Sequence, residues 1–230
     1  MDATTDHLVE YACGLRDEDL PPDVVHQVKR TLVDTLGCAV GARDAEPVAI
    51  AARAASRVQV SVGEIASVHV ATYGEAVRRT AKEPEKWDPR TRETADHSMP
   101  YLVAASFHDG HVTPATFAPA RIQDPALRPL IGKLTVVEEP EFTRRYPAES
   151  CTRVELTTVD GRRLTAETAY PKGHHRNPLT DAEVEAKFRG LTPWALDAPR
   201  GDRVLAAAWN LESAPTLDGL FESLVGSATS

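Results

Sequence analysis

Chemistry-bearing side chains crowd one stretch of the chain, P-E-K-W-D-P-R-T-R-E-T-A-D-H-S-M-P-Y-L-V-A-A-S-F-H-D-G-H at residues 84–111. His97 brings an imidazole, the side chain whose ordinary pKa lets it move protons near neutral pH. Ser98 adds a hydroxyl and Tyr101 a phenol. Pro100 tells how these are arranged. Proline fits the first helical turn, where its missing N–H costs nothing, and breaks a helix further in. Ser98 is then the natural N-cap. The helix is expected to run through Leu102, Ala105 and Phe107 and to stop at Asp109-Gly110. His97 precedes the cap and Tyr101 follows by one turn, so both are expected to reach the open helix end. Backbone N–H groups and the helix dipole favour an anion there. A proton-transfer residue beside an anion site suits chemistry on a carboxylate. Capped helix starts with a histidine and a tyrosine nearby also occur in ordinary domains without such chemistry.

Other clusters point less sharply. His108 and His111 straddle Asp109-Gly110, so they do not share a regular helix face, and no familiar ligand spacing completes a metal site. The run Y-P-K-G-H-H-R-N-P at 170–178 is a basic loop. Its Lys172, His174, His175 and Arg176 can contact an acidic substrate, although basic residues in exposed loops are usually just solvated. There is no G-x-G-x-x-G, Walker loop or G-x-S-x-G. Neither a cofactor nor a metal is expected.

The elements that must position these residues are readable in part. Residues 5–14 suggest a short helix. Val24, Val25, Val28, Leu32, Leu36 and Val40 recur at three- and four-residue steps, predicting a helix from Asp23 to about Ala42. Pro47 to Arg57 reads as a third, alanine-rich helix. Then the texture changes. Val58, Val60 and Val62 alternate, and Ile65 to Ala71 reads as a strand with His69 on one face. Charged residues fill Arg78 to Lys86. Pro125 to Ile131 gives a helical turn or two, and Lys133 to Glu139 a strand. Arg153–Val159 and Arg163–Ala169 flank Asp160-Gly161, predicting a hairpin with a primed turn. Thr180 and Glu183 form a capping box before Val184, Phe188 and Leu191. A last amphipathic helix is expected between Asp202 and Leu224, with a break near Pro215.

Composition sets outer limits. The chain has 230 residues, 42% hydrophobic and 26% charged, enough to build a core. Its net charge of -8 argues against general binding to nucleic acid or to an anionic membrane. No run approaches the length of a membrane span. The opening M-D-A-T-T-D-H-L-V-E is acidic and lacks an apolar signal core. Cys13, Cys38 and Cys151 are widely spaced without a C-x-x-C, as expected of reduced thiols in a cytoplasmic protein.

Several of these stretches together resemble the MmgE/PrpD family, whose members include 2-methylcitrate dehydratase and cis-aconitate decarboxylase. They are D-L-P-P-D-V-V-H-Q-V-K-R-T-L-V-D-T-L-G-C-A-V-G at 19–41, D-P-R-T-R-E-T-A-D-H-S-M-P-Y at 88–101, Y-P-K-G-H-H-R-N-P-L-T at 170–180 and Lys187-Phe188. The resemblance implies a helical domain and a smaller α+β lid. It also implies that His97, Ser98 and Tyr101 occupy the lid's H-S-x-x-Y positions facing a cleft. The family's long central helical segment, which supplies further active-site histidines and lysines, has no counterpart between Arg57 and the first lid strand. Only the lid residues are carried over.

The expected fold class is α+β: an antiparallel sheet with helices over 58–178, beside a reduced helical part of residues 1–57 packed with helices in 179–226. The expected function is a lyase acting by proton transfer on a carboxylated small molecule, through dehydration, decarboxylation or isomerisation. His97 and Tyr101 would be catalytic, and Ser98, Arg92, Lys172 and His174 would bind substrate. The alternatives are a repurposed enzyme, such as a cyclase, using a shortened cleft, and a non-catalytic partner subunit. The helical stripe between Val24 and Val40 lacks its family packing partners, so a homodimer or a partner chain is expected to cover it.

Overall fold

The computed structural model describes residues 7, 11, 13–41, 60–110, 112–193 and 195–224. Most of the helix expected over 5–14, all of that expected over 47–57, the boundary after residue 57, His111 and the tail after residue 224 lie outside them. In chain order the helices are α1 (Pro22–Gly41), α2 (Gly74–Thr80), α3 (Arg92–Asp96), α4 (Met99–Asp109), α5 (Pro119–Ile122), α6 (Arg128–Ile131), α7 (Pro140–Arg145), α8 (Asp181–Leu191), α9 (Ala198–Trp209) and α10 (Asp218–Leu224). The strands are β1 (Ile65–Thr72), β2 (Leu134–Glu138), β3 (Thr152–Thr158) and β4 (Arg163–Thr168). The class is α+β. The chain divides into two compact units, residues 1–42 with 180–230, and residues 43–179.

In the unit of residues 43–179 the strands form one sheet in the order β2-β1-β3-β4. Alternation decides which face is covered. Val68 and Val70 on β1 and Val154 and Leu156 on β3 point into one core with Leu102, Val103, Leu127 and Leu130. Each such side chain, fully buried, contributes about 1.5–3 kcal/mol. On the opposite face Phe142 of α7 covers Ala71 and Cys151. Helix α4 has no polar stripe, and Met99 through Phe107 are all buried. A helix apolar on every side belongs inside a core.

Two expectations about the sheet are corrected. It is mixed, because β1 pairs with β2 in parallel, Val68 opposite Leu134, while β1–β3 and β3–β4 are antiparallel. The β1–β2 connection is long and helical, as a parallel crossover requires. The hairpin forms, with Leu156 opposite Leu164, but its turn is not centred on Asp160-Gly161. The Gly161 N–H donates to the Thr158 carbonyl at 3.0 Å, putting Val159 and Asp160 at the corners and Gly161 last, at φ +86°. A distant partner accounts for the shift: the Val159 N–H donates to the Glu64 carbonyl at 2.8 Å. The charged run from Arg78 starts in the last turn of α2, which holds Arg78 and Arg79.

In the other unit α1 packs against α8 and α9. Phe188 of α8 is buried against Gly37, where an added Cβ would lie 3.2 Å from the Phe188 Cα. The α8 capping box forms as the sequence predicts, with the Glu183 N–H reaching the Thr180 hydroxyl at 3.2 Å. Ion pairs rim the packed face: Lys29–Glu212 at 2.6 Å, Arg30–Asp181 at 3.2 Å and Lys187–Asp34 at 3.0 Å. Among the described residues a different face of α1 stays open. Val24, Gln27, Val28, Thr31, Leu32 and Thr35 line an apolar groove of about 470 Å³.

Candidate functional site

The predicted chemistry falls at the junction of α3 and α4. Thr91 caps α3, its hydroxyl accepting from the Thr94 N–H at 3.3 Å, and buried Ala95 anchors the helix. His97 is the C-cap of α3 and the residue before the N-cap of α4. Its ring turns back toward α3. Nδ1 lies 3.2 Å from the Glu93 carbonyl and is also paired with the Asp96 carboxylate. The His97 side chain is 59% exposed and that of Asp96 16%.

Ser98 caps α4 as the sequence predicts. Its hydroxyl accepts from the Tyr101 N–H at 3.1 Å and donates to the Lys86 carbonyl. Ser98, Met99 and Pro100 are all buried, so this helix end is closed and the expectation of an open anion site there is corrected. Proline removes one orphan donor and the Ser98 hydroxyl takes another. Tyr101 is also placed away from the surface. It is fully buried, and its hydroxyl donates to the Thr116 carbonyl at 2.5 Å. Burial pushes its pKa up to about 12, so the phenol holds its proton through the neutral range. Its geometry is that of a core strut. Arg92 stands exposed on the first turn of α3.

Lys172 and His174 stand on a separate loop. The Lys172 ammonium donates to the Pro178 carbonyl at 3.0 Å, and His174 Nδ1 accepts the Arg176 backbone N–H at 3.2 Å. Desolvation, helped by His175 and Arg176, pushes the His174 pKa down. Arg176 lies over the Tyr170 ring and donates to its hydroxyl at 2.7 Å; that hydroxyl donates to Glu149 at 2.9 Å. The basic loop is therefore stitched to its own neighbours. Asp96 and the Tyr170–Glu149 pair are what sequence reasoning passed over. Asp96 was visible in principle, as the acid directly before His97.

His108 keeps a buried Nε2 without a hydrogen-bond partner among the described residues. Among those residues no group of three or more His, Cys, Asp or Glu is placed to hold a metal ion. No helix among them is long and apolar enough to cross a membrane.

The profile of the MmgE/PrpD C-terminal domain matches residues 45–212, and that of the MmgE/PrpD N-terminal domain matches residues 6–75. The chain belongs to the MmgE/PrpD family. Human cis-aconitate decarboxylase is 27% identical over 124 residues, 54% of this chain and 26% of that protein. The 2-methylcitrate dehydratase of Cupriavidus necator is 31% identical over 121 residues, 50% of this chain and 24% of that protein. A cis-aconitate decarboxylase-like protein of Aspergillus oryzae is 29% identical over 139 residues, 60% of this chain and 28% of that protein. The matched segments thus span about a quarter of the length of these MmgE/PrpD relatives.

Proposed function

We propose that this MmgE/PrpD chain contributes to a lyase-type reaction on a carboxylated small molecule, with His97 as the proton-transfer group. The observation that carries the reading is the exposed His97 ring, held at Nδ1 and without a hydrogen-bond partner at Nε2 among the described residues, within the D-H-S-M-P-Y run quoted for the family resemblance. The relatives' names support the substrate class: one is a cis-aconitate decarboxylase and another a 2-methylcitrate dehydratase. In a dehydration a neutral imidazole can take the proton from the carbon next to a carboxylate while the hydroxyl leaves, with a proton, as water; in a decarboxylation an imidazolium can give its proton to the carbanion left when carbon dioxide departs. Arg92, exposed one helical turn before Asp96, is the nearest cation in sequence for a substrate carboxylate. Tyr101 and Ser98 support this arrangement structurally and are not assigned a step. Residues outside the junction must complete the site, and a second copy of this chain or another chain is one source of them. The open apolar groove on α1 supports such an association.

The test is turnover of cis-aconitate and of 2-methylcitrate by the protein and by His97→Ala, each with its thermal unfolding curve. The expected result is activity lowered about 10²–10⁴-fold in a variant that unfolds near the native temperature. Undiminished activity in folded His97→Ala protein removes His97 from the chemistry.

A further inference from the structure

We propose that Asp96 is a positioning residue: it holds the His97 imidazole with a proton on Nδ1, so that Nε2 alone exchanges protons with a substrate. The inference rests on the role of His97 proposed above, and it concerns a residue that role does not require. Two groups face Nδ1, the Asp96 carboxylate and the Glu93 carbonyl at 3.2 Å. A carbonyl accepts hydrogen bonds and does not donate them, and an ionised carboxylate does the same. A ring nitrogen between two acceptors must supply the hydrogen. Nδ1–H is therefore present in both the neutral ring and the imidazolium, and the two forms differ only at Nε2.

The pairing is held from both sides. Ala95 precedes it and Ser98 follows it, both fully buried, and the Ser98 N–H donates to the Ala95 carbonyl at 3.1 Å. The ring is thus fixed on its backbone-facing edge while its side chain stays 59% exposed. A carboxylate behind an imidazole does two things: it selects the tautomer and stabilises the cation formed when Nε2 takes a proton. An amide in its place can turn its NH₂ toward Nδ1 and select the opposite tautomer, which presents Nε2–H and cannot act as a base there.

The experiment is nitrogen-15 NMR of histidine-labelled protein at pH 8, with the His97 signals assigned by their disappearance in His97→Gln. In the native protein Nδ1 should give the protonated-nitrogen shift and Nε2 the unprotonated one. Asp96→Asn should move the majority of the ring to the Nε2–H form, and Asp96→Glu should keep Nδ1–H. A native ring already protonated on Nε2 overturns the inference without any variant. So does an unchanged tautomer in Asp96→Asn. Turnover separates this from the functional reading. Asp96→Asn should lower kcat about tenfold or more if His97 is the base. A switched tautomer with undiminished turnover leaves Asp96 as the group that sets the ring and refutes the catalytic role of His97.

Discussion

The Tyr101 hydroxyl donates to the Thr116 backbone carbonyl at 2.5 Å, inside a core where the whole tyrosine is buried. This bond ties the central helix α4 to the 3₁₀ turn at Pro114–Phe117. Tyr101→Phe keeps the ring and leaves that carbonyl without its phenol donor. The expected cost is about 1–3 kcal/mol of stability, read from urea unfolding. Alkaline pH gives an independent check. The folded phenol titrates near pH 12 against 10.0 for the ordinary group, so the folded state holds this proton more tightly. Its stabilisation is complete below pH 10.0 and is lost as pH rises toward 12. Native protein should therefore lose more stability across that window than Tyr101→Phe does. Equal losses would mean that Tyr101 is not held as described.

Ser98 gives a second expectation. Its hydroxyl both accepts the Tyr101 N–H and donates to the Lys86 carbonyl, so Ser98→Ala breaks a cap and frees a partly buried acceptor. The expected loss is about 0.5–2 kcal/mol, at the upper end because both bonds go together. Ser98→Thr should recover most of it. If alanine costs nothing in an unfolding titration, the helix is not capped here.

How far the chain could be read depended on the range of the signals. The bounds of α4 were legible because Ser98, Pro100 and Gly110 act locally; Gly110 ends the helix at φ 76°. The burial of Tyr101 was written in the same segment, where nine consecutive residues from Met99 to Phe107 offer no polar face. The chemical types of His and Tyr drew attention to a surface role, and the apolar run argued against it for Tyr101. The parallel β1–β2 pairing and the displaced hairpin turn were not legible. Each depends on a partner far along the chain, Leu134 for Val68 and Glu64 for Val159. His97 lies between these cases. Its position followed from the cap, while its orientation depends on Asp96 and the Glu93 carbonyl, groups adjacent in sequence whose geometry only the fold fixes.

Close packing in the other unit is testable at Gly37. An added Cβ there would meet the Phe188 Cα at 3.2 Å and its ring at 3.3 Å. Alanine's better helix propensity, about 1 kcal/mol, offsets part of that crowding. Valine adds two methyl groups against the same ring. Gly37→Val should cost about 1–3 kcal/mol in chemical denaturation, and more than Gly37→Ala. A valine variant as stable as the native protein would mean that α1 and α8 are not in contact at this point.

The open face of α1 carries the last expectation. Val24 is 40% exposed and Val28 51%, on the groove that Leu32 and Thr35 extend. Water-facing valines on one stripe of a 20-residue helix cost hydrophobic free energy that association recovers, about 25 cal/mol for each Å² covered. The ion pairs of Lys29, Arg30 and Asp34 sit on the face packed against α8 and α9, so they do not screen the groove. Sedimentation at micromolar concentration should therefore give a mass above that of one chain. Val28→Glu puts a charge in the middle of the stripe and should return the protein to single chains without unfolding it. Helical content by circular dichroism should stay the same, because residue 28 is half exposed in the single chain. A native protein that sediments as one chain over that range would leave the groove without a partner of its own kind. An assembled protein that Val28→Glu fails to disperse would place its contact elsewhere.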